Sequence, residues 1–217
     1  MKAAVLGRGL GQRFGHAEVL RGVDVEVAAG ERLAVLGDNG AGKTTLLRIL
    51  ATLDRPAAGS LELFGLDVRT RRTALRPRIG WVGHNPGLYP ALTARENLVF
   101  FCDLYGLAHS PADAALARLG LEAEAGRRAG ELSRGKQQRL ALARSLLHDP
   151  ELWIVDEPDA SLDAAGRALL GRLAEGRTLV VATHDRGLAA RLCGRALELR
   201  EGAVDQRPPL SVVEDPG

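Results

Sequence analysis

The sequence predicts an α/β fold in which a core of parallel strands carries a small antiparallel β layer and an inserted helical subdomain at roughly residues 84–150. Three observations lead there. The first 65 residues alternate in short runs broken by turns, and residues 93–147 carry an almost wholly helical pattern. After Pro150 the strands return as unbroken apolar runs.

In chain order, residues 19–27 (VLRGVDVEV), 31–36 (ERLAVL) and 60–64 (SLELF) read as strands of the antiparallel layer plus the first core strand. Residues 40–53 turn helical behind a Gly-rich opening. Residues 79–82 form a further short strand, and 83–90, with two prolines and two glycines, form an irregular loop. Thr93 is placed to cap TARENLVFFCDLYG. Ser110 caps a helix with Pro111 at its first position, and Ser133 caps RGKQQRLALARSLLH. The runs LWIV (152–155) and TLVVAT (178–183) suit parallel strands covered on both faces, and the helix between them, from about 163 to 175, completes a βαβ unit. The chain thus reads as one domain over residues 1–205, followed by a Pro-rich, loosely held tail at 206–217.

Composition narrows the function. The net charge is +2 with both signs interspersed, which argues against a nucleic-acid partner, whose binding face concentrates positive charge. Of 29 cationic residues only Lys2, Lys43 and Lys136 are lysines, so a lysine inside a motif stands out. Cys102 and Cys193 fit no metal spacing and read as free thiols of a reducing compartment. No signal-peptide h-region opens the chain, and no run approaches about 18 apolar residues, so a cytosolic protein that reaches membranes by docking is expected.

Between a predicted strand and a predicted helix, Gly37-Asp38-Asn39-Gly40-Ala41-Gly42-Lys43-Thr44 matches GxxxxGK[ST], with Thr45 following. Glycines let the backbone wrap phosphates, whose charge then faces N–H donors and a helix N-terminus. Lys43 is expected to reach the β- and γ-phosphates of ATP, and the Thr44 hydroxyl to ligate Mg²⁺. A plain Gly-rich turn would not call for a lysine in so lysine-poor a chain. About 110 residues on, the apolar strand 152–155 ends in Asp156 and Glu157. Paired acids at the end of a buried strand need a cation or hydrogen bonds. Asp156 suits Mg²⁺, directly or through water, and Glu157 suits a general base that polarises the attacking water. Ser133, at a predicted helix N-terminus, would present N–H groups to an anion.

With these motifs in this order, residues 3–205 resemble the nucleotide-binding domain of an ABC transporter, a P-loop NTPase. Residues 37–45 correspond to Walker A, 152–156 to Walker B, and LSRGKQ (132–137) to the signature, with Arg134 and Lys136 departing from the usual LSGGQ. The resemblance also implies roles for Asp163 in ASLD, for His184 as the switch histidine, and for Phe14 stacking on adenine. It implies that two such domains sandwich two ATP molecules head to tail. Ser133, Gly135 and Lys136 of one chain would then complete the site built on Lys43 of the other, and membrane permease subunits would be driven from the cytoplasmic face of the inner membrane.

The family's Q-loop glutamine is replaced. Alignment puts His84 there, with Asn85 beside it, and imidazole is a poor ligand for Mg²⁺. Asn85 could offer its amide oxygen, water could intervene, or His84 could only relay motion. The run Gly-His-Asn-Pro-Gly at 83–87 resembles the ATP-binding subunit of the haem-exporter complex of bacterial cytochrome c maturation. His84, His109, His148 and Cys102 are scattered and lack an attachment motif, so they read as structural rather than as haem ligands. The competing expectations are an ATPase subunit of another small exporter, for lipid, polysaccharide or drug, and a soluble ABC ATPase acting as a nucleotide-gated clamp. The latter would call for a coiled-coil insertion or a second domain, which this sequence does not show.

Overall fold

A computed structural model describes residues 2–158 and 164–205. Among them the strands form two sheets. One is antiparallel, in the order β2-β1-β4-β5, from β1 (Ala3–Phe14), β2 (Ala17–Ala28), β4 (Ala58–Leu63) and β5 (Leu66–Asp67). The other follows the order β10-β9-β3-β8-β7-β6, from β3 (Arg32–Leu36), β6 (Ile79–Val82), β7 (Leu152–Asp156), β8 (Thr178–Ala182), β9 (Arg195–Arg200) and β10 (Ala203–Asp205). In this second sheet β9, β3, β8, β7 and β6 run parallel, and β10 pairs antiparallel to β9.

The apolar runs are continuous because the second sheet is covered on both faces. Strand periodicity sends Leu33, Val35, Leu152, Ile154, Val180 and Ala182 into one core, and Ala34, Leu36, Trp153, Val155, Leu179 and Val181 into the other. The first core is closed by α1 (Lys43–Leu50) and the antiparallel sheet. The second is closed by helices α3 (Ala94–Tyr105), α4 (Ser110–Arg118), α5 (Arg134–Leu146), α6 (Ala164–Leu173) and α7 (Arg186–Leu192). Helix α2 (Val68–Leu75) lies between β5 and β6. Helices α3 to α5 all fall between β6 and β7, where the helical pattern was expected.

Among the described residues, side-chain caps start α2, α3 and α7. Thr93 and Glu96 form a capping box at α3: the Thr93 Oγ1 accepts from the Glu96 N–H at 3.1 Å and the Glu96 carboxylate from the Thr93 N–H at 2.8 Å. Helix α4 starts one residue earlier than the sequence suggests, with His109 at the N-cap and Ser110 already helical. Ser133 is the N-cap of α5 as expected, but its side chain accepts no capping hydrogen bond among the described residues. Also among the described residues, no helix is long and apolar enough to cross a membrane.

Candidate nucleotide site

The C-terminal ends of neighbouring parallel strands are where open α/β sheets bind ligands. Here the Gly37 loop follows β3, the Gly83 loop follows β6, Glu157 follows β7 and His184 follows β8. Backbone bonds fix the spacing. The Glu157 N–H donates to the Ala182 carbonyl at 2.9 Å, and the Thr183 N–H to the Val35 carbonyl at 3.2 Å.

The loop 37–42 needs its glycines for two separate reasons. Gly37 has φ 146° and Gly42 φ 101°, where a side chain is strained. A Cβ on Gly37 would also stand 2.3 Å from the Leu199 carbonyl oxygen, and one on Gly42 2.9 Å from that of Val19. Gly42 is the N-cap of α1 and has no capping side chain, so the first N–H groups of α1 face the loop. Lys43 is only 4% exposed. Its ammonium donates to the carbonyls of Gly37 (2.8 Å) and Asp38 (3.1 Å) and lies 3.5 Å from a Glu157 carboxylate oxygen. Asn39, Gly40, Gly42, Lys43, Thr44, Thr45 and Glu157, together with Val19, line a cleft of about 300 Å³.

Asp156 is 1% exposed, and neither carboxylate oxygen has a hydrogen-bond partner among the described residues. Burial pushes its pKa above the usual carboxylate range. The Thr44 hydroxyl, near it but not in ordinary hydrogen-bond geometry, Lys43 and His84 pull the other way, and Glu157 adds to the rise. A buried carboxylate with both oxygens orphaned is costly unless a cation meets it. That donor set, with the Thr44 hydroxyl beside it, fits a hard divalent ion such as Mg²⁺. Glu157 holds φ 48°, a left-handed backbone unusual outside glycine and the kind of local strain that collects at functional sites.

His84 is exposed and close enough to Asp156 to act on its charge. The Asn85 amide oxygen accepts from the Gly87 N–H at 3.0 Å, closing a turn, so it is already engaged. Two residues that the motifs did not single out hold this loop. Buried Asn97 donates to the carbonyls of Tyr89, Leu92 and Thr93 and accepts from the Tyr89 N–H. Arg144 donates to the carbonyls of Gly87 (2.7 Å) and Trp81 (3.2 Å).

Other expected residues stand apart from the cleft. Phe14, 55% exposed, sits at the turn between β1 and β2, and the residue of that hairpin lining the cleft is Val19. Ser133, Gly135 and Lys136 lie at the start of α5 and are not among the lining residues. The Lys136 ammonium pairs with the Glu124 carboxylate. Asp163 lies outside the described residues. His184 is exposed at the end of β8, beside the chain that carries Glu157. His109 pairs with Asp103, and His148 stacks on Tyr105 and contacts the Ile79 carbonyl. No cluster of metal-ligating side chains appears among the described residues.

The chain is similar to known proteins in sequence and fold. The ABC transporter family model matches residues 20–160. A Nod factor export ATP-binding protein I of Burkholderia lata is 38% identical over 95% of this chain and 71% of its own. A cytochrome c biogenesis ATP-binding export protein of Cupriavidus metallidurans is 43% identical over 86% of this chain and 92% of its own. A lipoprotein-releasing system ATP-binding protein of Porphyromonas gingivalis is 38% identical over 91% of this chain and 96% of its own. Among solved structures, the dimeric post-hydrolysis state of an ATP-binding cassette bound to ADP and Pi superposes with a TM-score of 0.86 at 30% identity, covering 95% of this chain and 99% of that one. The phosphate loop, the orphaned acidic strand end and these matches lead to one assignment: the chain belongs to the ABC transporter family, as an ATP-binding subunit that hydrolyses ATP.

Proposed function

We propose that this subunit powers the haem-handling complex of cytochrome c maturation, docked on integral membrane permease subunits at the cytoplasmic face of the inner membrane. The observation that carries this reading is the reciprocal match to the cytochrome c biogenesis relative, which spans 92% of that protein at 43% identity. The Gly-His-Asn-Pro-Gly loop at 83–87 supports it. In this reading residues 1–205 are one nucleotide-binding domain with the insert at 84–150. The 38% matches to a Nod factor export protein and a lipoprotein-releasing system protein favour a second reading, the ATPase subunit of another small exporter, for lipid, polysaccharide or drug. Deleting the gene and assaying mature c-type cytochromes separates the two. Loss of holocytochromes is expected, and normal levels would exclude the haem reading while leaving the ATPase intact.

In the proposed mechanism the N–H groups of residues 38–45 and the Lys43 ammonium hold the β- and γ-phosphates, and Val19 packs beside the nucleotide. Asp156 and the Thr44 hydroxyl would hold Mg²⁺, which when bound supplies Lewis-acid stabilisation of phosphoryl charge. Glu157 accepts the proton of the attacking water, and His184, at the next strand end, orients the phosphate side of that reaction. Ser133 and Gly135 of a second chain would close the site with the α5 N-terminus, whose dipole faces the γ-phosphate. His84 would transmit motion from the permease.

A further inference from the structure

The signature segment departs from its family pattern at Lys136, and the structure shows where that lysine's charge goes. Its ammonium, on the first turn and a half of α5, reaches back to Glu124 in the short turn Glu122–Glu124 between α4 and α5. The Glu124 side chain is 11% exposed. It also accepts from the Arg127 guanidinium at 3.0 Å, and Arg127 in turn donates to the Glu131 carbonyl at 3.3 Å. The Lys136 contact foremost, then Arg127, holds the Glu124 carboxyl below its ordinary range. Beside it on α5, Gln137 donates to the Ala129 carbonyl at 2.9 Å. The segment 125–128 is fastened to α3, where the Ala94 and Arg95 N–H groups donate to the carbonyls of Arg127 and Ala125. Charge and hydrogen bonds therefore converge on the first turn of α5. The Ser133 side chain itself makes no cap among the described residues.

We propose that Glu124 is a positioning residue for ATP hydrolysis: by taking up the charge of Lys136 it fixes the α5 N-terminus that Ser133 and Gly135 present to a second chain's nucleotide, so that Lys136 acts as a strut rather than a phosphate ligand. The inference rests on the composite-site reading above. A buried carboxylate between two cations is stable only while both remain, and removing it frees an ammonium beside the anion-binding helix end. Glu124 does not line the Lys43 cleft and acts through α5.

The test is steady-state ATP turnover by the full chain carrying Glu124→Gln, Lys136→Gln, both changes, or Ser133→Arg. Glu124→Gln is expected to lower kcat about tenfold with KM for ATP changed less than about twofold, since the residues of the Lys43 cleft are untouched. Lys136→Gln should lower kcat similarly, and the double variant should lose no more than either single change, because both break the same contact. Additive losses in the double variant, or a Lys136→Gln effect confined to KM, would mean that Lys136 meets the phosphate directly, and would overturn the proposal. So would an unchanged kcat for Glu124→Gln. Ser133→Arg, which should abolish turnover, separates the two levels: if it is silent, the composite-site reading falls and the proposal with it. If it abolishes turnover while Glu124→Gln is silent, only the proposal falls. Should Glu124→Gln not fold, Glu124→Asp keeps the charge on a shorter arm, and an intermediate kcat is expected at an unchanged melting temperature. An Asp variant equal to the parent in kcat would contradict the strut.

Discussion

At the scale of single residues, the site concentrates cost where chemistry needs it. Asp156 is buried at the end of β7 with both oxygens orphaned among the described residues, and Glu157 next to it holds a left-handed backbone. Because burial raises the Asp156 pKa, the folded chain binds that proton more tightly than the unfolded chain does. The resulting cost is absent below the ordinary carboxylate range and grows as pH rises through the folded pKa. Asp156→Asn removes the charge without changing the shape. Its nucleotide-free melting temperature at pH 7 should rise, by about 2–4 °C per kcal/mol relieved in a chain of this size, and the gain should shrink in acid. Phosphate release should fall by about 100-fold or more. Calorimetry showing a lower melting temperature at pH 7 would mean that the carboxylate is satisfied in the folded chain after all. The motif made Lys43, Asp156 and Glu157 legible from sequence, since each type has one job at that spacing. It could not show that Asn85 spends its amide oxygen on Gly87, or that Lys136 spends its charge on Glu124, because those partners are set by folding.

At the scale of elements, the loop after β6 is held from outside itself. Asn97 on α3 makes four hydrogen bonds to its backbone, between 2.8 and 3.2 Å, and Arg144 on α5 makes one more, to Gly87, and another to Trp81 in β6. Asn97→Ala leaves the Tyr89 N–H without its acceptor and takes one of two partners from the Tyr89, Leu92 and Thr93 carbonyls, at a cost of about 1–3 kcal/mol. A lower melting temperature and faster amide exchange at residues 83–92 are expected. Exchange rates equal to the parent's would show that Arg144 alone suffices. The capping box that starts α3 was readable because Thr93 and Glu96 satisfy each other three residues apart. Asn97 was not, since its partners are carbonyls that sequence does not mark. The same limit hid β1. Gly7, Gly9 and Gly11 depress strand propensity, and they mark register shifts against β2 and a close approach by Gly59, whose Cβ would lie 2.3 Å from the Gly9 carbonyl oxygen. Strands β7 and β8 were plain because burial on both faces leaves unbroken apolar runs, residues 152–155 and 179–182.

At the scale of the whole molecule, one sheet divides two cores, and the functional loops gather at one end of it. The signature helix α5 packs in the core opposite the one that holds α1, and its N-terminal residues do not line the Lys43 cleft. On the proposed reading, a site with phosphate donors and a base on one chain, and an exposed helix N-terminus elsewhere on it, is half of a composite. The solved relatives include dimers. The direct test is the oligomeric state and bound nucleotide of Glu157→Gln incubated with ATP and Mg²⁺, read by light scattering and nucleotide extraction. The account predicts turnover lowered by about 100-fold or more and a stable dimer retaining unhydrolysed ATP, one per chain. Turnover equal to the parent's, or ATP retained by a monomer, would contradict it.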